Sequence, residues 1–139
     1  MKKIVIPVFR NDSAKDLPLP SYATAESAGM DLYADIPNSM TIPAGGREKI
    51  PTGISIALPS GYEAQIRSRS GLAWKEGVVV LNSPGTIDAD YRGELRVFLQ
   101  NNGTEPQTVE NGERIAQLVI TPCLDIEIEE TDELSETLR

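Results

Sequence analysis

A chain of 139 residues with 21 acidic and 13 basic side chains carries a formal charge of −8 and has no histidine. That length suits one domain with its own core, and the acidic balance argues against a face that grips a nucleic-acid backbone. The missing histidine removes Ser-His-Asp and Cys-His machinery, His-bearing zinc sites and the usual general base, so acid–base chemistry falls to carboxylates, Tyr or Lys.

The opening MKKIVIPVFR has an apolar run broken by Pro7 and Arg10, too short for a signal peptide and far too short for a bilayer span. A soluble, cytoplasmic protein with no membrane partner is the expectation. Short alternating apolar pieces then follow one another: Ile4 to Phe9, Ile54-Ile56-Leu58, Val78 to Leu81, Leu95-Val97-Leu99, Ile115 to Ile120 and Ile126-Ile128. PNSM, PAGG, LPSG, NSPG and NNGTEPQ separate them with turn residues. No window sustains a helical stripe, and SGLAWKEG allows at most one short helix, near residues 71–77. Many short strands in one domain read as a sandwich, jelly roll or barrel. The closing TPCLDIEIEETDELSETLR alternates and then loses its apolar members, which predicts a last strand followed by a loose acidic tail. Its lone Cys123 can form no internal disulfide and reads as a small buried hydrophobe.

Charge is unevenly spread. Seven of the 21 acids lie after position 124, leaving 14 acids against 12 Lys and Arg in residues 1–124. Arg67, Arg69, Arg92, Arg96 and Arg114 fall in the second half of that nearly neutral body, residues 1–124, so a small polyanionic ligand is compatible with it.

Four segments could carry chemistry. In SAGMDLYAD (27–35), Asp31 sits in a small, apolar run, where an unpaired charge is expensive. RSRSGLA (67–73) combines guanidinium forks, hydroxyls and accessible backbone that suit phosphate oxygens. VVVLNSPGTIDADYRGE (78–94) reads as a buried strand entering an Asn-Ser-Pro-Gly turn and returning through Ile87. Such a hairpin offers Asn82 and backbone groups to a planar polar ring, with Tyr91 placed to stack on or wall off a sugar. On an extended segment Asp88 and Asp90 would share one face, opposite Ile87, Ala89 and Tyr91. NGERIAQLVI (111–120) puts Gln117 on one face with Ile115 and Val119. Each segment also has an ordinary structural reading: a turn aspartate, an exposed strand end, a core tyrosine between surface acids, and a satisfied buried glutamine.

Together, AGMDLYAD, RSGLA, GTIDADYRGE and GERIAQL, in this order over residues 28–118, resemble the first four signature motifs of the trimeric all-β dUTP diphosphatases (dUTPases). The resemblance implies an all-β, single-domain, distorted jelly-roll barrel of the dUTPase-like β-clip kind over residues 1–124, with 125–139 as last strand and start of an acidic arm. It further implies a homotrimer with shared active sites that hydrolyses dUTP to dUMP and pyrophosphate, supplying dUMP for thymidylate synthesis, with Mg²⁺ as cofactor. Carried over by motif, Asp88 is the catalytic carboxylate that orients and deprotonates the attacking water, chiefly by positioning. Arg69, Ser70 and Gly71 match phosphate-binding positions, and Gln117 a contact to phosphate or to the water shell of the metal. Asp31 matches the residue that holds Mg²⁺ through water. Asn82, Thr86 and Ile87 read the uracil edge, and Tyr91 packs on the deoxyribose and leaves no room for a 2′-hydroxyl. Arg96 matches a further nucleotide contact, while Arg114 stays open between a phosphate-facing and a structural role. The family's fifth motif, a Gly-rich C-terminal arm with an arginine and a stacking phenylalanine, has no match; Arg139 stands where it would begin. Whether trimmed or lacking that arm, the chain as given is expected to form the trimer and bind nucleotide but to turn over slowly. The alternatives are a dCTP deaminase of similar fold, which would act on the base, and a non-catalytic nucleotide-binding jelly-roll module.

Overall fold

Alternation in the sequence becomes pairing in the computed structural model, which describes residues 3–139. Its strands are β1 (Val8–Arg10), β2 (Met30–Tyr33), β3 (Met40–Ile42), β4 (Arg47–Pro51), β5 (Ile54–Ile56), β6 (Tyr62–Arg67), β7 (Val78–Val80), β8 (Gly85–Ile87), β9 (Arg96–Asn101), β10 (Gln107–Val109) and β11 (Arg114–Pro122). Every strand pairing among the described residues is antiparallel. A four-stranded sheet runs β2-β11-β6-β8 and a three-stranded sheet β4-β9-β7, with the ribbons β1-β5 and β3-β10 beside them. Neighbours distant in sequence share these sheets, as the jelly-roll expectation requires.

The core lies between the sheets. Leu32, Ile66 and Leu118 from the larger sheet meet Ile50, Val80, Val97 and Leu99 from the smaller in one buried cluster. In β9 the period of two is kept, with Val97, Leu99 and Asn101 buried and their neighbours less so. Asn101 is tolerated there because its amide is satisfied: Nδ2 donates to the carbonyls of Ile42 (3.0 Å) and Glu105 (2.8 Å), and Oδ1 accepts from Gly103 N–H (2.9 Å).

Among the described residues the one short α-helix is α1 (Ser70–Glu76), with a 3-10 turn at Asp12–Ala14 as the other helical piece. It ends at Gly77, whose φ of 72° is left-handed, and a Cβ there would meet Gly103 N at 2.6 Å. Both the backbone shape and the close approach demand glycine. None of the described helices is long and apolar enough to cross a membrane.

Three expectations change. The segment from Val78 to Ile87 is not a hairpin: β7 pairs with β9 while β8 pairs with β6, so Leu81–Pro84, with a cis Ser83–Pro84 bond, is a corner between two sheets. An apolar run, a turn and another apolar residue look the same whether the two strands pair with each other or with others. Second, Ile126 and Ile128 form no strand; β11 ends at Pro122, and the two side chains are 70% and 84% exposed. A strand exists only by pairing, and this alternation finds no ladder in the subunit. Third, Cys123 is exposed, because it follows the end of β11 instead of sitting within it.

Candidate active site

The corner and β8 build one half of the site. Gly85 is buried beneath Asn82: a Cβ on it would stand 3.2 Å from Asn82 Nδ2 and 3.4 Å from Ile66 Cβ. The absent side chain lets the amide lie close to the strand. The Ser83 hydroxyl donates to the Val80 carbonyl and ties the corner to β7. Beyond Ile87 the chain turns, with Tyr91 N–H donating to Asp88 O at 3.1 Å. Asp88 and Asp90 are therefore not neighbours on one face of a strand, as extended geometry predicted, but lie at the start and within a tight turn. Arg92 braces that turn by donating from Nη1 to Ala89 O at 2.6 Å.

A cavity of about 400 Å³ opens here, and Asn82, Thr86, Ile87, Asp88, Tyr91 and Arg96 all line it. Six residues singled out from the sequence, five of them within VVVLNSPGTIDADYRGE and Arg96 just beyond it, thus share one space. Tyr91 is partly exposed and donates its hydroxyl to Glu94 O at 3.0 Å. The opposite wall comes from residues that sequence patterns passed over. Lys49 and Phe98 are register partners on β4 and β9, and the Lys49 ammonium sits 5.4 Å from the Phe98 ring centroid. Glu94 lies beside Arg96, with 3.8 Å between Oε1 and Nε.

The second half of the site lies on the far side of the same sheet. Asp31 on β2 is the register partner of Gln117 on β11, which also faces Arg67 of β6. The Asp31 carboxylate is four-fifths buried and stands 3.6 Å from Arg69 Nε and 3.7 Å from Arg114 Nη1. Arg69 Nη1 in turn donates to the Arg114 carbonyl at 3.2 Å. The costly charge in an apolar run is thus paired, and the pairing holds two guanidiniums together where an anion can meet both. Arg114, undecided from sequence, belongs to this cluster. Ser70 and Gly71 follow Arg69 as the exposed first residues of α1, and nothing lies within 4 Å of where a Gly71 Cβ would be.

Ser68 links the halves, a structural role that its place among the hydroxyls of RSRSGLA did not announce. Its hydroxyl accepts from Val80 N–H at 2.9 Å, and its carbonyl accepts from Gln117 Nε2 at 2.9 Å. None of Asp31, Arg69, Ser70, Gly71 or Gln117 lines the cavity that holds Asp88. No group of three or more His, Cys, Asp or Glu side chains able to hold a metal occurs among the described residues. A hard cation would find one protein carboxylate here, Asp31, and would need further oxygens from a ligand.

Such a fold and such a site define an all-β protein that holds two guanidiniums around one carboxylate at one end of a sheet and a polar cavity at the other. The family model described as dUTPase matches residues 15–139. A deoxyuridine 5'-triphosphate nucleotidohydrolase of Caldanaerobacter subterraneus subsp. tengcongensis is 53% identical over 136 residues, 98% of this chain and 92% of that protein. One from Aquifex aeolicus is 55% identical over 128 residues, 92% of this chain and 85% of that protein. The chain belongs to the dUTPase family. Among solved structures, a point mutant of the Staphylococcus bacteriophage 80alpha dUTPase with dUpNHpp superposes with a TM-score of 0.84 at 23% identity, covering 96% of this chain and 100% of that one. The dUTPase of phage phi11 of S. aureus, solved with a structural Mg(II) ion, gives 0.83 at 21% identity, with the same coverage. At that identity these likenesses speak to the fold.

Proposed function

We propose that the protein hydrolyses dUTP to dUMP and pyrophosphate, in the cytoplasm where its nucleotide substrate is found. The observation that carries this reading is the convergence of Asn82, Thr86, Ile87, Asp88, Tyr91 and Arg96 on one cavity in a chain of the dUTPase family. Asn82 and the backbone of Thr86 and Ile87 bind the uracil edge, and the Tyr91 ring walls the deoxyribose. Asp88, at the end of β8, holds a water against the α-phosphorus and takes its proton as the P–O bond forms; the bridging oxygen leaves with pyrophosphate. Positioning supplies most of the rate, so the site needs no histidine and no covalent intermediate.

Arg69, Ser70, Gly71 and Gln117 bind the triphosphate, and Arg114 adds charge. Asp31, with the phosphates of the substrate, would hold Mg²⁺, and a single protein carboxylate suits a cation reluctant to shed its water shell. When bound, Mg²⁺ neutralises phosphate charge. Because these groups do not line the Asp88 cavity of their own subunit, a homotrimer with sites shared between subunits is part of the proposal. Each site then joins the cavity of one copy to the arginine cluster of another.

Pyrophosphate release from dUTP, dTTP, dCTP and UTP, with and without Mg²⁺, tests the reading. Release from dUTP alone, lost in Asp88→Asn while a non-hydrolysable dUTP analogue still binds, is the expected result. Ammonia release from dCTP would replace it with deamination, and unchanged hydrolysis by Asp88→Asn would remove Asp88 from its role.

A further inference from the structure

The sugar-facing tyrosine is not held by packing alone. Tyr91 is 44% exposed, so its ring direction must come from the chain that carries it. Gly93 lets the ring fold back over its own turn: a Cβ on residue 93 would stand 2.4 Å from the Tyr91 hydroxyl and 2.6 Å from Cζ. The hydroxyl then reaches the Glu94 carbonyl at 3.0 Å. Wherever the backbone of residue 94 goes, the tyrosine follows.

That backbone is clamped to the turn between β4 and β5. Glu94 Oε2 accepts the Gly53 N–H at 2.8 Å, and the Glu94 side chain is 21% exposed. Leu95 N–H donates to Ile54 O at 2.8 Å, and Leu95 O accepts from Thr52 N–H at 3.2 Å and from Thr52 Oγ1 at 2.6 Å. The turn is itself rigidly seated. Gly53 has a φ of +74°, and a Cβ on it would meet Ala14 Cβ at 2.4 Å. The other Glu94 oxygen stands 3.8 Å from Arg96 Nε, on the cavity wall.

We propose that Glu94 is a positioning residue for sugar discrimination: its carboxylate anchors the tyrosine-bearing turn to Gly53 and steers Arg96, while its carbonyl fixes the Tyr91 hydroxyl. The proposal rests on the dUTP-hydrolysing reading above. A released Glu94 lets the turn and the Tyr91 ring swing outward, which opens the space a 2′-hydroxyl needs. Loss of Glu94 therefore admits UTP more than it impairs dUTP.

The test is kcat/KM for dUTP and for UTP in wild type, Glu94→Ala, Glu94→Gln, Tyr91→Phe and the double variant Tyr91→Phe/Glu94→Ala, with melting temperatures alongside. Losing one charge-assisted hydrogen bond should shift the dUTP-to-UTP ratio about tenfold toward UTP in Glu94→Ala. Glu94→Gln keeps an oxygen for Gly53 N–H and should shift it less. Tyr91→Phe keeps the ring but cuts its tie to residue 94, so it should move the ratio in the same direction, and the double variant should do little more than either single one. A merely structural Glu94 would lower the melting temperature and both activities together, leaving the ratio alone; that result overturns the proposal. Should Glu94→Ala fail to fold, Glu94→Gln and Tyr91→Phe decide it by the same ratio. A wild-type chain that releases no pyrophosphate from dUTP overturns the functional reading and this proposal together, whereas an active wild type with an unmoved ratio overturns only the role of Glu94.

Discussion

Gly29 and Gln117 approach so closely that a side chain on residue 29 must displace the glutamine amide: a Cβ there would stand 2.1 Å from Gln117 Oε1 and 3.2 Å from Gln117 Cβ. Gln117 is held in that place by its bond to the Ser68 carbonyl, at 2.9 Å. The glycine of the AGMDLYAD segment thus acts through the glutamine of GERIAQL, across the β2–β11 pair. Gly29→Ala should push the amide off Ser68 and out of line with the arginine cluster. Losing that hydrogen bond costs about 1 kcal/mol, so a melting temperature lowered by a few degrees is expected. The fall in kcat/KM for dUTP should be larger, about tenfold or more, because in the proposed mechanism Gln117 contacts the phosphates and its misplacement acts on the reaction itself. Equal losses in Gly29→Ala and in a surface variant such as Lys15→Ala would refute the coupling.

The core makes a separate prediction. Leu99 is 1% exposed and sits on β9, the central strand of the smaller sheet, one residue from the cavity-lining Phe98. Leu99→Ala should cost about 2–5 kcal/mol from lost burial and the void left behind. In thermal denaturation that corresponds to a drop of about 10 °C. Substrate KM should change little at a temperature where the variant is folded, because Leu99 faces away from the cavity that Phe98 lines.

How much of this was legible in the sequence depends on where the partners lie. Asn82 to Tyr91 could be read as one site because a single stretch of chain carries most of its cavity wall. The separate strands β5, β7, β9 and β11 were legible in part, since each overlaps a short apolar piece of Val, Ile and Leu. By contrast β6 shows only Ala64 and Ile66 inward, while Glu63, Gln65 and Arg67 form a polar ladder outward, with Arg67 Nη2 donating to Gln65 Oε1 at 2.6 Å and Gln65 Nε2 to Glu63 Oε1 at 2.7 Å. Two apolar side chains are too few to announce a strand. Lys49 and Phe98 went unread, and Ser68 was read only for its hydroxyl, for a different reason: each is an ordinary strand or loop residue until a distant partner gives it a role. Glu94 stood within the quoted GTIDADYRGE and was still missed, since part of what it does is done by its carbonyl. The corner at Leu81–Pro84 was mistaken for a hairpin because local turn chemistry does not name the strands that pair on either side.

Cys123 offers a pH-dependent test outside the site. Although the residue is exposed, partial desolvation of its sulfur, then the nearby Glu63 carboxylate, whose Oε2 lies 3.6 Å from Sγ, raise the thiol above its ordinary range. A raised value in the folded state means the protonated thiol is favoured there, so thiolate chemistry must begin at higher pH in native than in unfolded protein. Iodoacetamide labelling followed against pH should therefore show a native midpoint above the one in denaturant. Glu63→Gln should lower the native midpoint. A native midpoint at or below the denatured one would contradict the placement of Cys123 beside Glu63.

The proposed sharing of sites between subunits makes the most demanding prediction. Asp88 lines a cavity that Arg69 does not enter, and Arg69 is instead tied to Asp31 and to the Arg114 carbonyl. If one copy contributes Asp88 and another Arg69 to each site, then Asp88→Asn and Arg69→Ala are defects in different halves of a joint structure. Either variant alone should be nearly inactive in every site, since all copies carry the same defect. Mixed, dissociated and reassembled at equal amounts, the two should form rings in which some neighbouring pairs place an intact cavity against an intact arginine cluster. Random assembly leaves roughly a quarter of the sites with both halves whole, so roughly a quarter of wild-type activity should return. The arithmetic separates shared from self-contained sites, because a subunit holding its own complete site can never be repaired by a neighbour. Size-exclusion chromatography with light scattering should report three copies for wild type and for the mixture. Recovery absent from mixtures that have demonstrably exchanged subunits would show that each chain completes its own site.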